Sequence, residues 1–368
     1  MPLYRKYYVQ DNFTLANAGT RTIDVNIQDP ITAFWIKFQA TNGGTSNKGN
    51  LLPQCISSIQ LIDGADVLYS LSGQQAYALA AYQLGHMQEN IFDESAGDPQ
   101  TFSFPMMFGV KFGDKVRSFD PRRFKNPQLR FTWNLAAVRA VGLLGFAGAN
   151  LQLSILADVM EGAPTPSHFL MHKEIYTWTS AALGWEYIDL PMDYPYRGMM
   201  LRGVKAITIW HWIFNQLRMN CDGGQHIAMN IRGWDLMNWL ATQLPIFHYT
   251  HCFRVTNGQT LELVLRDHES LQLQCDATPD TDITYSNSGW GSGPAQTQTA
   301  GAPAAPNLKF YADVQGRNPF DCAYIPFGQQ DDPADWFPTR SFKGIRMEIQ
   351  GGVALAANSL VLTQDRPY

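Results

Sequence analysis

An all-β chain assembled from two copies of one β-sandwich is what the sequence predicts, and three recurrences lead there. TIDVNIQDPITAFWI (22–36) and YIDLPMDYPYRGMML (187–201) superpose so that Ile23-Asp24 falls on Ile188-Asp189 and Pro30 on Pro195. The alternating Ile23, Val25 and Ile27 then fall on Ile188, Leu190 and Met192. Next, IQLIDGADVLYSLSGQQAYALAAYQ (59–83) matches LRMNCDGGQHIAMNIRGWDLMNWLATQ (217–243), with Asp63-Gly64 on Asp222-Gly223 and Gly73 on Gly233. Last, RFKNPQLRFTWN (123–134) resembles SFKGIRMEIQ (341–350), and a small-residue loop and a final strand follow each, at 149–159 and 357–364. A weaker match precedes it, Met107-Phe108-Gly109 with Pro326-Phe327-Gly328. Each match is poor alone. Kept in one order, with one element type at each place, they define a tandem duplication, and a repeat fixes the architecture before any single element does.

The elements follow in turn. β-runs fall at 21–28, 31–40, 55–62, 65–71, 102–110, 127–135 and 150–159, with an eighth short run near 115–118. In TIDVNIQ the alternation turns Ile23, Val25 and Ile27 inward, the period of a strand with one buried face. Asp-Gly between two β-runs predicts a tight hairpin in both copies. Ser72 with Gln75 three residues on has the form of a capping box ahead of Ala- and Leu-rich helical turns, and 234–243 is the matching helix. Antiparallel runs with one short helix per copy imply a sandwich, and eight strands with long crossovers suit a jelly roll. The fold class is therefore a tandem duplication of an eight-stranded jelly roll, a double jelly roll. The first occupies 1–162 with an N-terminal arm at 1–20, a linker runs over 163–170, and the second fills 171–368. The spacing between matched positions narrows past extra residues at 40–49 in the first copy, then widens across an insertion at about 244–325 in the second. IFHYTHCFRV, LELVLRD and LQLQCDA read as strands within it, and SNSGWGSGPAQTQTAGAPAAP as an irregular exposed loop.

Composition narrows the function. Charged residues make up 16% of the chain, below the usual quarter, and neutral polar residues replace them, which favours large packed interfaces. A net charge of −5 argues against a nucleic-acid coat, so no sequence-specific nucleic-acid partner is expected. No apolar run reaches the ~18 residues of a membrane span, and the first residues lack a signal-peptide core. Five cysteines without CxxC pairs fit reduced thiols and assembly in a cytosol.

The order of strand pair, extended loop, Asp-Gly hairpin, capped helix and late strands, given twice with the larger insertion in the second copy, resembles the major capsid proteins of the double-jelly-roll virus lineage. That lineage includes adenovirus hexon and tailless, membrane-containing icosahedral phages and archaeal viruses. ISSIQLIDGADVLYSLSG (56–73) is the stretch most similar to it. The resemblance implies a structural subunit of a virion shell, made in the host cytoplasm: a homotrimer of pseudo-hexagonal outline that tiles an icosahedral shell. Its partners would be itself, neighbouring capsomers, penton and minor capsid proteins. An internal lipid membrane would be met by the N-terminal arm, where Arg5 and Lys6 lie among Tyr4, Tyr7 and Tyr8. An edge strand or ordered tail is the other reading of that arm.

Chemistry is sparse, and neither an enzyme nor a cofactor is expected. His248, His251 and Cys252 are the best metal candidates, but on a strand positions i and i+3 face opposite ways, and a structural site wants four ligands. His211 reads as a packed strand residue, and Asp331, Asp332 and Asp335 as loop charge rather than a Ca²⁺ site. Among assembly candidates, Leu143, Leu144 and Phe146 stand in an apolar loop that must fold under its own sandwich or plug a contact. Two alternatives remain. One is a double-jelly-roll enzyme of the peptide N-glycosidase type, which needs a carboxylate pair in the cleft between sandwiches; Asp24 and Asp189 recur, but at strand positions that suggest matched structure rather than one shared site. The other is a carbohydrate- or receptor-binding sandwich such as a viral spike, using Trp290 and Trp336 in loops.

Overall fold

The computed structural model describes residues 3–44, 47, 50–138, 145–148, 150–205, 208–255, 259–261, 263–275, 295–297 and 308–368. In the first sandwich the strands are β1 (Leu3–Leu15), β2 (Ala18–Asp24), β3 (Ile31–Thr41), β4 (Ile56–Asp63), β5 (Asp66–Leu71), β6 (Pro99–Met107), β7 (Pro127–Asn134) and β8 (Leu151–Glu161). A single helical turn, α1 (Leu52–Cys55), precedes β4, and α2 (Gly73–Leu84) follows β5. The second sandwich begins with β9 (His168–Thr179), β10 (Trp185–Asp189), β11 (Tyr196–Val204), α3 (Trp210–Ile213), β12 (Phe214–Cys221), β13 (His226–Arg232) and α4 (Gly233–Gln243). An insertion follows, with β14 (Phe247–Val255), β15 (Gln259–Leu261), β16 (Leu265–Cys275), β17 (Ala295–Thr297) and β18 (Leu308–Pro319). The second sandwich then closes with β19 (Cys322–Pro326), β20 (Ile345–Gly351) and β21 (Ala357–Pro367).

The two halves share one topology, place for place. The first packs β1-β8-β3-β6 over β2-β7-β4-β5, and the second packs β9-β21-β11-β19 over β10-β20-β12-β13. Inward positions carry the core: Phe34, Phe38, Phe102, Phe104 and Phe131 are fully buried in the first, Met199, Leu201, Leu217, Met219 and Met347 in the second. Each such side chain contributes ~2 kcal/mol by leaving water. The insertion forms its own sheet, β14-β18-β16, and a separate β15–β17 pair.

Several details differ from the sequence reading. The first copy's eighth strand is β1, inside the segment read as an arm, whereas 115–118 holds only an isolated bridge from Arg117 to His168. Strand β9 begins at His168, within the segment read as linker. Each copy has a helical turn in addition to its helix. Most of the Gly/Ala/Pro/Gln-rich loop lies outside the described residues, as do Leu143, Leu144 and Trp290.

The recurrent residues have recurrent jobs. Asp63 accepts hydrogen bonds from the amides of Lys125 (3.2 Å) and Asn126 (2.7 Å), and Asp222 accepts them from Lys343 (2.6 Å) and Gly344 (3.3 Å). The hairpin aspartate therefore clamps the lead-in to the penultimate strand in both sandwiches. Two motifs that looked independent in the sequence are the two ends of one contact. Gly73 and Gly233 start the helices against the preceding helical turn; a Cβ there would lie 2.6 Å from the Pro53 carbonyl oxygen and 1.8 Å from that of Phe214. Phe108, Phe119 and Phe124 pack in series, and Phe327, Phe337 and Phe342 repeat the series. The capping box is present, with the Gln75 amide donating to Ser72 Oγ and the Ser72 amide donating to Gln75 Oε1 at 2.8 Å.

Because the clamps are equivalent, Asp63→Ala and Asp222→Ala are each expected to cost ~1 kcal/mol, the worth of exposed charge-assisted bonds. Denaturant unfolding of the two variants checks this, and a cost confined to one would make the clamps inequivalent.

Candidate assembly surfaces

The seam between the sandwiches is built from strand edges. Strand β5, at the edge of one sheet, pairs in parallel with β9 at Tyr69–His172 and Ser70–Lys173. The sheets fuse into one of eight strands, β19-β11-β21-β9-β5-β4-β7-β2. Around this ladder the contacts are polar and specific. Arg117 makes a bidentate pair with Asp365 (3.0 and 2.9 Å), nearly buried on both sides. Arg366 pairs with Asp66, and the guanidinium holds that carboxyl below its usual range. Tyr368 donates to the Ser118 carbonyl (2.5 Å), accepts from the Asp120 amide (2.6 Å), and packs edge-on to Phe124 and tilted against Phe169.

Helix α2 fills the rest of the seam. Its Gln75 reaches Glu174 and Ser359, and Gln74 accepts from Arg202. Tyr82 donates to the Cys322 carbonyl (2.8 Å) and packs on Phe247 and Tyr324. His172 is wholly buried, with Nδ1 at 3.0 Å from Thr363 Oγ1 and its ring edge-on to Tyr69. Burial, reinforced by the nearby Arg197 charge, pushes its pKa down to about 3, so the imidazole is neutral in the folded chain.

The same architecture is found in solved structures. No family model matches the chain, and no curated protein does. The major capsid protein P2 from bacteriophage PM2 matches with a TM-score of 0.55 at 11% identity, over 100% of this chain and 98% of that one. The STIV MCP matches at 0.58 and 11%, over 99% and 96%. PBCV-1 VP54, fitted into a reconstruction of the virophage Sputnik, matches at 0.57 and 10%, over 99% and 94%. The chain is a double jelly roll.

Within this double jelly roll the sequence-derived candidates scatter. Arg5 and Lys6 lie on β1 beside Glu161 (3.7 Å) and Asp158 (3.1 Å), acids of the adjacent strand β8. Tyr4, Tyr7 and Tyr8 are exposed beside them. Phe146 is bridged to Asn42 and packs, partly buried, on the first core, so this residue of the apolar loop folds under its own sandwich. His211 stands on α3, half-exposed against Trp234 at 4.7 Å, and is not a strand residue. His248 faces outward toward Asp313, and His251 is buried on the opposite face of β14 near Glu94. Among the described residues no His, Cys, Asp or Glu groups converge as a metal site.

Asp332 and Asp335 cap turns through the Ala334 and Gln329 amides. Trp336 is 2% exposed, which removes it as a sugar platform. Asp24 and Asp189 bind the cross-strand neighbours Gln128 and Arg346 on β2 and β10, one in each sandwich, and share no site. Cys55, Cys221 and Cys322 are buried free thiols, and burial pushes Cys55 and Cys322 up to about 12.

Sequence reasoning missed an aromatic surface at the far end of the second sandwich. Trp212 (57% exposed), Trp234 (45%) and Trp239 (42%) stand on α3 and α4, with Ile227 exposed on β13. The signal was available in the repeat: Trp234 and Trp239 replace Gln74 and Leu79 of the buried helix α2.

Two outcomes follow. His172 has a folded pKa below its ordinary 6.5, so its contribution is intact above about pH 6.5 and is lost as pH falls toward about 3. The slope inside that window is ~1.4 kcal/mol per pH unit. A thermal-melt series from pH 7 to 4 is expected to show this slope and to flatten in His172→Gln; an unchanged slope places the acid sensitivity elsewhere. Phe146→Asp is expected to lower folding stability by ~2 kcal/mol, because the partly buried ring no longer packs on the first core. The melting temperature of the variant checks this.

Proposed function

We propose that the chain is the structural major capsid protein of an icosahedral virus, acting as a non-enzymatic subunit of the virion shell. The observation that carries this reading is the whole-chain match, end to end and sandwich to sandwich, with proteins such as the PM2 major capsid protein P2. A doubled sandwich has a physical use in a shell. Three chains with two similar units each present six similar units around one axis, so a trimer fills a six-fold lattice position. The neutral polar composition and the exposed tryptophans suit a subunit that buries much of its surface against copies of itself. Penton and minor proteins, an inner membrane beneath the shell, and assembly in the host cytoplasm belong to the same proposal.

Light scattering coupled to gel filtration, with negative-stain images of the same fractions, is the test. The expected result is three times the 41.3 kDa chain mass with a hexagonal outline, or closed shells. A monomer at every concentration would overturn the reading.

A further inference from the structure

The seam inside the chain has an unused duplicate at its ends. Strands β5 and β9 pair with each other, but among the described residues their repeat equivalents, β13 and β1, are both unpaired sheet edges. The ladders fix the correspondence residue by residue. The bridge Ile31–Phe119 recurs as Tyr196–Phe337, which sets Phe34 on Met199. Phe34 faces Ala157, which faces Tyr7; Met199 faces Leu362, which faces Lys173. Tyr7 is therefore the counterpart of Lys173, and Lys6 that of His172. Likewise Leu61 faces Tyr69 as Met219 faces Met229, so Met229 and Asn230 are the counterparts of Tyr69 and Ser70.

Three further observations mark these edges as a matched pair. Strand β5 is mostly covered, whereas β13 and the first half of β1 are exposed. In the first sandwich, the groove between the end of α2 and the chain after β6 is occupied by β9, whose Leu170 amide donates to the Phe108 carbonyl (2.8 Å) while His172 approaches Gln83. Among the described residues the equivalent groove of the second sandwich, between Gln243 and residues 328–331, is open, with a volume of about 450 Å³. Charges also match. Asp331 and Asp335 line that groove, while Arg5 and Lys6 on β1 stay 51% and 62% exposed despite their pairs on β8. The seam pair Asp66–Arg366 has His226 and Glu161 at its counterpart positions, with acid and base exchanged.

We propose that a second copy of the chain lays its β1 along β13 in parallel, Lys6 beside Met229 and Tyr7 beside Asn230. Its Lys6, the counterpart of the His172 that approaches Gln83, enters the groove under α4, and the contact covers Trp234 and Trp239. The junction between chains thus repeats the seam within each chain. This rests on the trimeric capsid reading and adds the residues that make the trimer.

The test combines Tyr7→Cys with Asn230→Cys in the full chain, bridges them with a short bismaleimide, and weighs the sample by light scattering before bridging. The expected result is a trimer that yields covalent dimers and trimers on a denaturing gel from the double variant and from neither single variant. A trimer without those species would overturn this junction and leave the capsid reading standing; a monomer would overturn both. Hydrogen exchange on the unmutated trimer gives an independent readout. Amides in 4–8 and 226–232 are expected to exchange as slowly as those of β5 and β9, and fast exchange there would also overturn the junction.

Discussion

A β-sheet that does not close on itself ends in strands with unpaired amides and carbonyls, and the whole molecule is organised by how it disposes of those edges. One edge of the first sandwich and one edge of the second meet along β5 and β9. The ladder itself is only two residue pairs long, too short to hold two sandwiches. The surrounding ion pairs, the buried α2 and the docked Tyr368 supply the rest. The seam fixes the orientation of one sandwich on the other and draws Phe169, Met171 and Tyr324 into the first core.

Much of this was legible in the sequence because the same physical needs had to be met twice. A tight hairpin needs Asp-Gly, a strand lead-in needs a partner for its amides, and a helix starting against a carbonyl needs glycine. Asp63 and Asp222, and Gly73 and Gly233, are therefore visible as pairs even where the chain between them has diverged. Strand β1 was not legible. Its residues YRKYYVQDNFTL are exposed on both faces over most of their length, so no alternation marks them as a strand. Only their pairing with β8 makes them one, and pairing is a property of two distant segments.

The candidate sites were less legible than the fold. Histidines and aspartates draw attention because their chemistry is versatile, yet here they cap turns, pair across strands or lie buried in the seam. The informative residues were apolar. Trp234 and Trp239 carry no signal in isolation, since a tryptophan on a helix is ordinarily core. They become informative when set beside Gln74 and Leu79 of the sister helix, whose surroundings are filled. The loop bearing Leu143 and Leu144 lies outside the described residues, and Phe146 alone of that set has a described place.

The short connection 162–167 between β8 and β9 has a consequence for how such a molecule responds to dilution. A tether of this length holds its two ends at an effective concentration on the order of millimolar or above, whatever the amount of protein in solution. The seam within the chain is thereby indifferent to dilution. A contact of the same shape between separate chains has no tether and forms only as the protein accumulates. In the proposed trimer, duplication of one sandwich thus converts a six-body encounter into a three-body one and lowers the kinetic order of ring closure. It would also leave the junctions between chains sensitive to subunit supply, so that synthesis itself times assembly.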